Sequence, residues 1–379
     1  MTESCYLCCR AVPSPQWRCE RHETARVFCS ENHLRLHRPG QADNDDCLPW
    51  SIQTSAQYGR YLVASRDIQP GELVLVEAAV SWGPDHHTSR PLCLECLDQV
   101  EQDSACARCG YPLCVRHRDT GRHPTHSLEC GVFTRNNHRL GQEDRQDMEL
   151  HNPAVEMVRC LALMETSQEI RSTLGLLMDH GEERLAESET YIEPYRDLIT
   201  QLVSDLRLGS EEEIIKIIGY YDINSLAVRS DQGSYAGRGL YPVASLMNHS
   251  CVCNTRNIIT GRALQSRATT LIPAGSTVTT HYVSPLLDVT TRRARLKEKW
   301  FFDCRCERCQ DTTGTDLGSF LSALRCQDCT QGFSLPGSGT EFRCNHCQHS
   351  LPEARVQLTI KSWEPIIQVS ISSFSFSFS

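Results

Sequence analysis

Residues 248–254 read Asn248-His249-Ser250-Cys251-Val252-Cys253-Asn254, and residues 304–309 read Cys304-Arg305-Cys306-Glu307-Arg308-Cys309. The second stretch sets three thiolates close enough to share one ion. A closed structural zinc site takes four protein ligands, so a fourth must come from elsewhere in the chain. Cys251 is the candidate donor. An ion stitched from two distant segments would couple metal loss to collapse of both.

The other cysteines are clustered as well. The first cluster runs Cys5-x2-Cys8, Cys19-x2-His22 and Cys29-x3-His33, then His37 and Cys47. Paired ligands a few residues apart can sit on one tight turn, and eight ligands would hold two ions. If His22 or His37 is only a surface residue, one ion binds. The second cluster is Cys93-x2-Cys96, Cys106-x2-Cys109, Cys114, His117, His126 and Cys130, with His123 as an alternative to His117. Cys326-x2-Cys329 followed by Cys344-x2-Cys347 has zinc-ribbon spacing and needs no outside ligand. About six zinc ions are expected in all. Cys9, Cys160 and Cys253 are left over, and a free packed thiol is the default for each.

Composition agrees with metal use. The chain has 22 cysteines in 379 residues, yet it is too long to need disulfide stapling. Its N-terminus, Met1-Thr2-Glu3-Ser4-Cys5, shows no basic segment followed by an apolar core, and no apolar run approaches a membrane span. A reducing compartment, cytoplasm and nucleus, is expected. The formal net charge of −9 argues against broad attraction to nucleic acid and suits a basic protein tail better.

Between the clusters the pattern alternates. Tyr58 to Val80 carries β-branched and apolar runs broken at Gln69-Pro70-Gly71, which predicts a hairpin. From Arg139 to Leu208 apolar residues recur at spacings of three and four, which predicts amphipathic helices. A further helix starts at Glu211 behind Ser210 as N-cap, with three glutamates near its positive end. Strand patterns return at Arg262–Ile272 and Thr277–Val283 around Pro273-Ala274-Gly275.

Three segments together carry a resemblance: Asn248-His249-Ser250-Cys251 with Asn254, the run Thr277-Val278-Thr279-Thr280-His281-Tyr282, and Cys304/Cys306/Cys309. The combination looks like a SET domain with its post-SET zinc. The Cys93–Cys130 cluster resembles a MYND finger, and its place inside the SET sequence resembles the SMYD (SET and MYND) family. The N-terminal cluster and the ribbon resemble that family's arthropod-specific branch. The implied fold class is α+β with multiple zinc modules: a β-rich SET fold interrupted by a MYND finger and a helical insert, then post-SET zinc and ribbon. The implied boundaries are 1–48 (MYND-like finger), 49–92 (SET, first part), 93–130 (MYND), 131–235 (helical insert), 236–285 (SET core), 286–312 (post-SET), 320–350 (ribbon) and 351–379 (disordered tail).

By that resemblance Gly59 and Arg60 lie near an S-adenosylmethionine site, Asn248 and His249 hold the adenosine part, and Phe301 and Phe302 close over the adenine. Tyr282 would be the catalytic-channel tyrosine, and Cys251 would complete the Cys304/Cys306/Cys309 zinc. Without those flanking motifs, Tyr282 reads as an ordinary half-buried strand residue. The sequence departs from the family at Tyr61, where a G-x-G strand has its second glycine, at Cys253, where proline is usual, and at Ser276, where an acid is usual. The resemblance would lead to a C-terminal helical domain whose pattern is not read before Ser379, so a C-terminally short form is expected; the last residues are a biased Ser/Phe tail.

The activity so implied is S-adenosylmethionine-dependent protein-lysine methylation, with histone tails as candidate substrates and a chromatin role. The alternative is a weakly active or inactive scaffold whose fingers bind corepressor or deacetylase partners. A monomer is expected, with neither nucleic acid nor membrane as partner. The basic run Arg292–Lys297 reads as a solvated helix face.

Overall fold

The computed structural model describes residues 48–120, 124–310, 320–321, 323–336, 341–356, 358–359 and 361–362, with the backbone of four short N-terminal strands. Those strands are β1 (Glu3–Ser4), β2 (Ala11–Val12), β3 (Trp17–Cys19) and β4 (Arg26–Phe28), paired β1 with β2 and β3 with β4. The ligand set of the first cysteine cluster lies outside the described residues, as does the Ser/Phe end of the tail.

The chain divides into two compact units. The first comprises Met1–His249, Cys253–Thr280 and Lys299–Phe301; the second comprises Ser250–Val252, His281–Glu298 and Phe302–Ser379.

In the first unit, β5 (Trp50–Ser55) and β6 (Gly59–Ala64) form an antiparallel pair, followed by β7 (Leu73–Ala78) and β8 (Ser81–Pro84). The finger follows, with α1 (Val115–Thr120) and α2 (His126–Arg135). The insert then supplies α3 (Asn152–Thr166), α4 (Gln168–Leu174), α5 (Gly181–Ala186), α6 (Ser188–Tyr191), α7 (Arg196–Thr200) and α8 (Glu211–Asn224). The chain returns to strands with β9 (Ser225–Arg229), β10 (Tyr235–Leu240), β11 (Asn248–His249), β12 (Thr255–Thr260), β13 (Ala263–Ala268) and β14 (Thr279–Thr280). Two three-stranded sheets result, β8-β10-β9 and β12-β13-β7, and β11 pairs with β14 in parallel.

The α8 start matches its sequence signal: the Ser210 hydroxyl accepts the Glu213 amide at 3.2 Å, and three glutamates occupy the first turn. α3 is buried on nearly every side, from Ala154 and Val155 round to Leu161 and Met164, so it is the insert's central helix.

The predicted Tyr58–Val80 hairpin is corrected. Both strands form and Gly71 takes the left-handed turn (φ 83°), yet they do not pair with each other. β7 pairs with β13, while the backbone of β6 is met by residues 275–278 through Gly275 to Ala64, Ala64 to Ser276 and Val278 to Leu62. A turn signal brings two strands near; their remaining donors go to whichever edge the tertiary fold supplies. Leu62, Ile68, Val74, Val228, Met247, Leu264, Ile272 and Val278 pack as one sheet core.

The second unit contains α9 (Val289–Trp300) up to Glu298, α10 (Glu307–Gln310), and a four-stranded antiparallel ribbon of β15 (Leu324–Arg325), β16 (Phe333–Pro336), β17 (Glu341–Cys344) and β18 (Ser350–Pro352). The last strand crosses the expected boundary at residue 350.

Candidate cofactor turn and zinc centres

Four sets of four ligands converge, the atoms of each set lying within 4.8 Å of one another: Cys93, Cys96, Cys114 and His117; Cys106, Cys109, His126 and Cys130; Cys251, Cys304, Cys306 and Cys309; Cys326, Cys329, Cys344 and Cys347. Sulfur–sulfur separations run from 3.5 Å for Cys251–Cys309 to 3.9 Å for Cys96–Cys114. A tetrahedral zinc with bonds of about 2.3 Å holds its sulfurs about 3.8 Å apart, whereas a disulfide needs roughly 2.05 Å. These donors therefore fit zinc. The first two sets interleave along the chain, as a cross-braced finger requires; His117 completes the first set, and the alternative His123 lies outside the described residues. Cys160 is a buried thiol, pushed up to about 12 by burial and packed against Met164. Cys253 is only half-buried.

The Cys251 set answers the missing-ligand question within the second unit. It also corrects the solvated reading of Arg292. That side chain is 1% exposed, donates from Nε to Cys251 Sγ at 3.1 Å, and points Nη2 at Cys309 Sγ 3.7 Å away. Helical spacing explains this: Arg292 and Leu296 share one face of α9 and are both buried, while Arg293, Arg295 and Lys297 face solvent. A tetrathiolate zinc carries net negative charge, and a buried guanidinium balances it.

In the first unit Asn248 and His249 form the short strand β11, paired in parallel with β14. Glu77, near the end of β7 and buried, accepts the Val243 amide at 2.9 Å and the Ala244 amide at 2.8 Å. That fixes the turn leading into β11. Burial pushes the Glu77 carboxyl up to about 7 against the opposing effect of those two amides. Asn254 clamps the other flank, donating to Thr277 O at 2.9 Å and accepting the Thr279 amide at 2.8 Å. With its neighbours fixed, Asn248 holds a buried Nδ2 that has no hydrogen-bond partner among the described residues.

Gly59 is left-handed (φ 62°) with open space where a Cβ would stand, and the Arg60 guanidinium donates to the Leu176 carbonyl. Tyr61 turns its ring edge-on to Tyr58, centroids 5.5 Å apart. Phe301 is also left-handed (φ 59°), its ring 4.9 Å from His180 and 5.2 Å from Tyr191. The insert thus contributes His180 and Tyr191 to the surroundings of Phe301. Sequence reading missed both, because neither lies in a spaced motif. Phe302 and Tyr282 belong to the second unit, and each is half-buried. Burial pushes the Tyr282 phenol up to about 12.

The sequence profile of the SET domain family matches residues 59–283. The chain belongs to the SET domain family. Within it the chain groups with the SMYD proteins and their insect branch. It is 27% identical to SET domain-containing protein SmydA-8, isoform A, of Drosophila melanogaster, covering 81% of this chain and 66% of that one. It is 25% identical to histone-lysine N-methyltransferase ASHR1 of Arabidopsis thaliana, covering 80% and 64%. It is 26% identical to N-lysine methyltransferase SMYD2 of Homo sapiens, covering 66% and 58%. The chain thus spans about two thirds of the length of these relatives or less. A solved SET domain of LSMT bound to lysine and AdoHcy aligns with 14% identity over 68% of this chain and 53% of that one, at a TM-score of 0.28.

Proposed function

We propose that this SET domain protein is an S-adenosylmethionine-dependent protein-lysine methyltransferase. The observation that carries the reading is the buried, unpartnered Nδ2 of Asn248 inside a turn clamped from both sides by Glu77 and Asn254. An orphaned buried amide costs about 1–3 kcal/mol unless something accepts its hydrogen bond. A cofactor nitrogen or oxygen would supply the acceptor. Gly59 leaves backbone space for a ligand, and the Phe301 ring offers an apolar face for an adenine.

Bound S-adenosylmethionine would supply an electrophilic methyl on a sulfonium. The protein's part is to hold it, exclude water, and present a neutral lysine amine in line, which can lower such a barrier by several kcal/mol through positioning. The Tyr282 hydroxyl, kept protonated by burial, can accept a hydrogen bond from that amine or help hold a water. All four described zinc sets are filled by protein, so zinc here is structural. Histone tails as substrate, corepressor or deacetylase partners on the fingers, a monomeric state, and residence in cytoplasm and nucleus belong to the same proposal. The acidic net charge supports the basic-tail part of it.

The test is calorimetric titration of S-adenosylmethionine into zinc-replete protein, with Asn248→Ala alongside. Saturable binding that the variant loses supports the reading. Absence of binding at millimolar cofactor refutes it and leaves the scaffold alternative.

A further inference from the structure

The finger's second zinc set is wired into the SET sheet through side chains that no family motif predicted. His126 turns Nε2 toward the metal side, 3.5 Å from Cys109 Sγ, and Nδ1 toward Glu129 Oε1 at 3.1 Å. Glu129 is in turn held by Arg159 of α3, whose Nε donates to Oε2 at 3.0 Å and whose Nη2 donates to Oε1. The guanidinium does not stop there. Its Nη1 donates to the Trp82 carbonyl of β8 at 2.9 Å, its Nη2 to the Leu94 carbonyl of the finger at 2.8 Å, and its Cζ lies 4.1 Å over the Trp82 ring. His126, Glu129 and Arg159 are all fully buried.

Two physical facts make this more than packing. A carboxylate on the far nitrogen of a ligating histidine fixes its tautomer and ring orientation. A buried charge pair is tolerated only while every lone pair and donor is satisfied, so each member depends on the others. A second, independent observation agrees: Cys93, Cys96, Cys106, Cys109 and Cys130 share one hydrophobic core with α3, α8 and the rest of the insert. A finger that served only as a detachable docking module would have its own core.

We propose that the Cys106/Cys109/His126/Cys130 zinc is a keystone of the SET body, with Glu129 and Arg159 as positioning residues that tie its occupancy to strand β8. Losing this ion loosens Ser81–Pro84; losing the ribbon ion does not. The inference concerns the resident zinc and holds whether or not the chain transfers methyl groups.

The experiment is zinc release from the full zinc-replete chain to a chromophoric chelator, followed in parallel by amide hydrogen exchange at residues 81–83 and 94. Glu129→Gln is expected to release one equivalent of zinc roughly 10–100-fold faster than the native chain. Exchange at β8 should rise in step with that release. Release at the native rate, or β8 protection that persists after that equivalent has gone, overturns the proposal. Should Glu129→Gln fail to fold, Glu129→Gln combined with Arg159→Met removes both charges and keeps the volume. The double variant should still release the ion fast, because no carboxylate then fixes the His126 tautomer and raises its ligand basicity. Native-rate release from it would reduce the pair to packing and overturn the proposal equally.

Discussion

Glu77 offers a direct check on how the cofactor turn is held. Its carboxyl sits at about 7 rather than 4.5, because burial outweighs the two amides it accepts from Val243 and Ala244. The folded protein therefore binds this proton more tightly than the unfolded chain. Below pH 4.5 both states carry it and the full contribution is present; between 4.5 and 7 only the folded state keeps it; above 7 the advantage is gone. At 1.36 kcal/mol per unit the whole swing is about 3 kcal/mol, of which about 2 falls between pH 5.5 and 8. Tyr241, the ionisable neighbour that feels Glu77, has its phenol pushed far above this window, so it does not titrate there. Other groups contribute slopes of their own, thiolate ligands among them, so the difference between native chain and Glu77→Gln is the quantity to measure. Gln accepts only one of the two amides and starts at a disadvantage of about 1–3 kcal/mol. That disadvantage should shrink by about 2 kcal/mol as pH rises from 5.5 to 8, read from chemical denaturation of the zinc-replete proteins. A gap that stays constant with pH, or widens, would refute a buried carboxyl poised near neutrality.

Further expectations follow from single contacts. Arg292→Met removes the guanidinium that balances the Cys251/Cys309 thiolates and should speed zinc loss from that site roughly 10–100-fold, with ribbon zinc unchanged, by chelator kinetics. Tyr282→Phe should lower methyl transfer by about 10²–10⁴-fold while cofactor affinity stays within error, and the native rate-versus-pH profile should show no tyrosine ionisation below pH 10. Leu62→Ala, at a position with no exposure in the sheet core, should cost about 2–5 kcal/mol, measured on the first unfolding transition. Phe301→Ala should weaken cofactor binding while leaving every zinc in place, since its ring meets His180 and Tyr191 and no metal ligand.

What the sequence made legible was whatever rests on short spacing. C-x2-C pairs, the Cys304/Cys306/Cys309 triplet, the Ser210 cap and the helical period of the insert each depend on residues a turn or two apart, and among the described residues each appears in the structure at its place. Even the long-range donor Cys251 was reachable, because zinc chemistry demands a fixed ligand number. The misses share the opposite property. β6 and β7 take partners from residues 263–278, a choice that local turn chemistry cannot encode. Arg292 sits inside a run of basic residues whose charge count says solvent, while its helical phase against Leu296 says interior; phase prevailed because the negative zinc thiolates compensate the buried charge. Glu129 and Arg159 were invisible for the same reason: a buried ion pair is stable only against a particular surrounding, here a zinc-bound histidine on one side and the Trp82 carbonyl on the other. In this chain, then, the polar groups hardest to read from sequence are those that connect one module to the next. They are the ones to mutate when asking whether metal, sheet and cofactor turn act as one body.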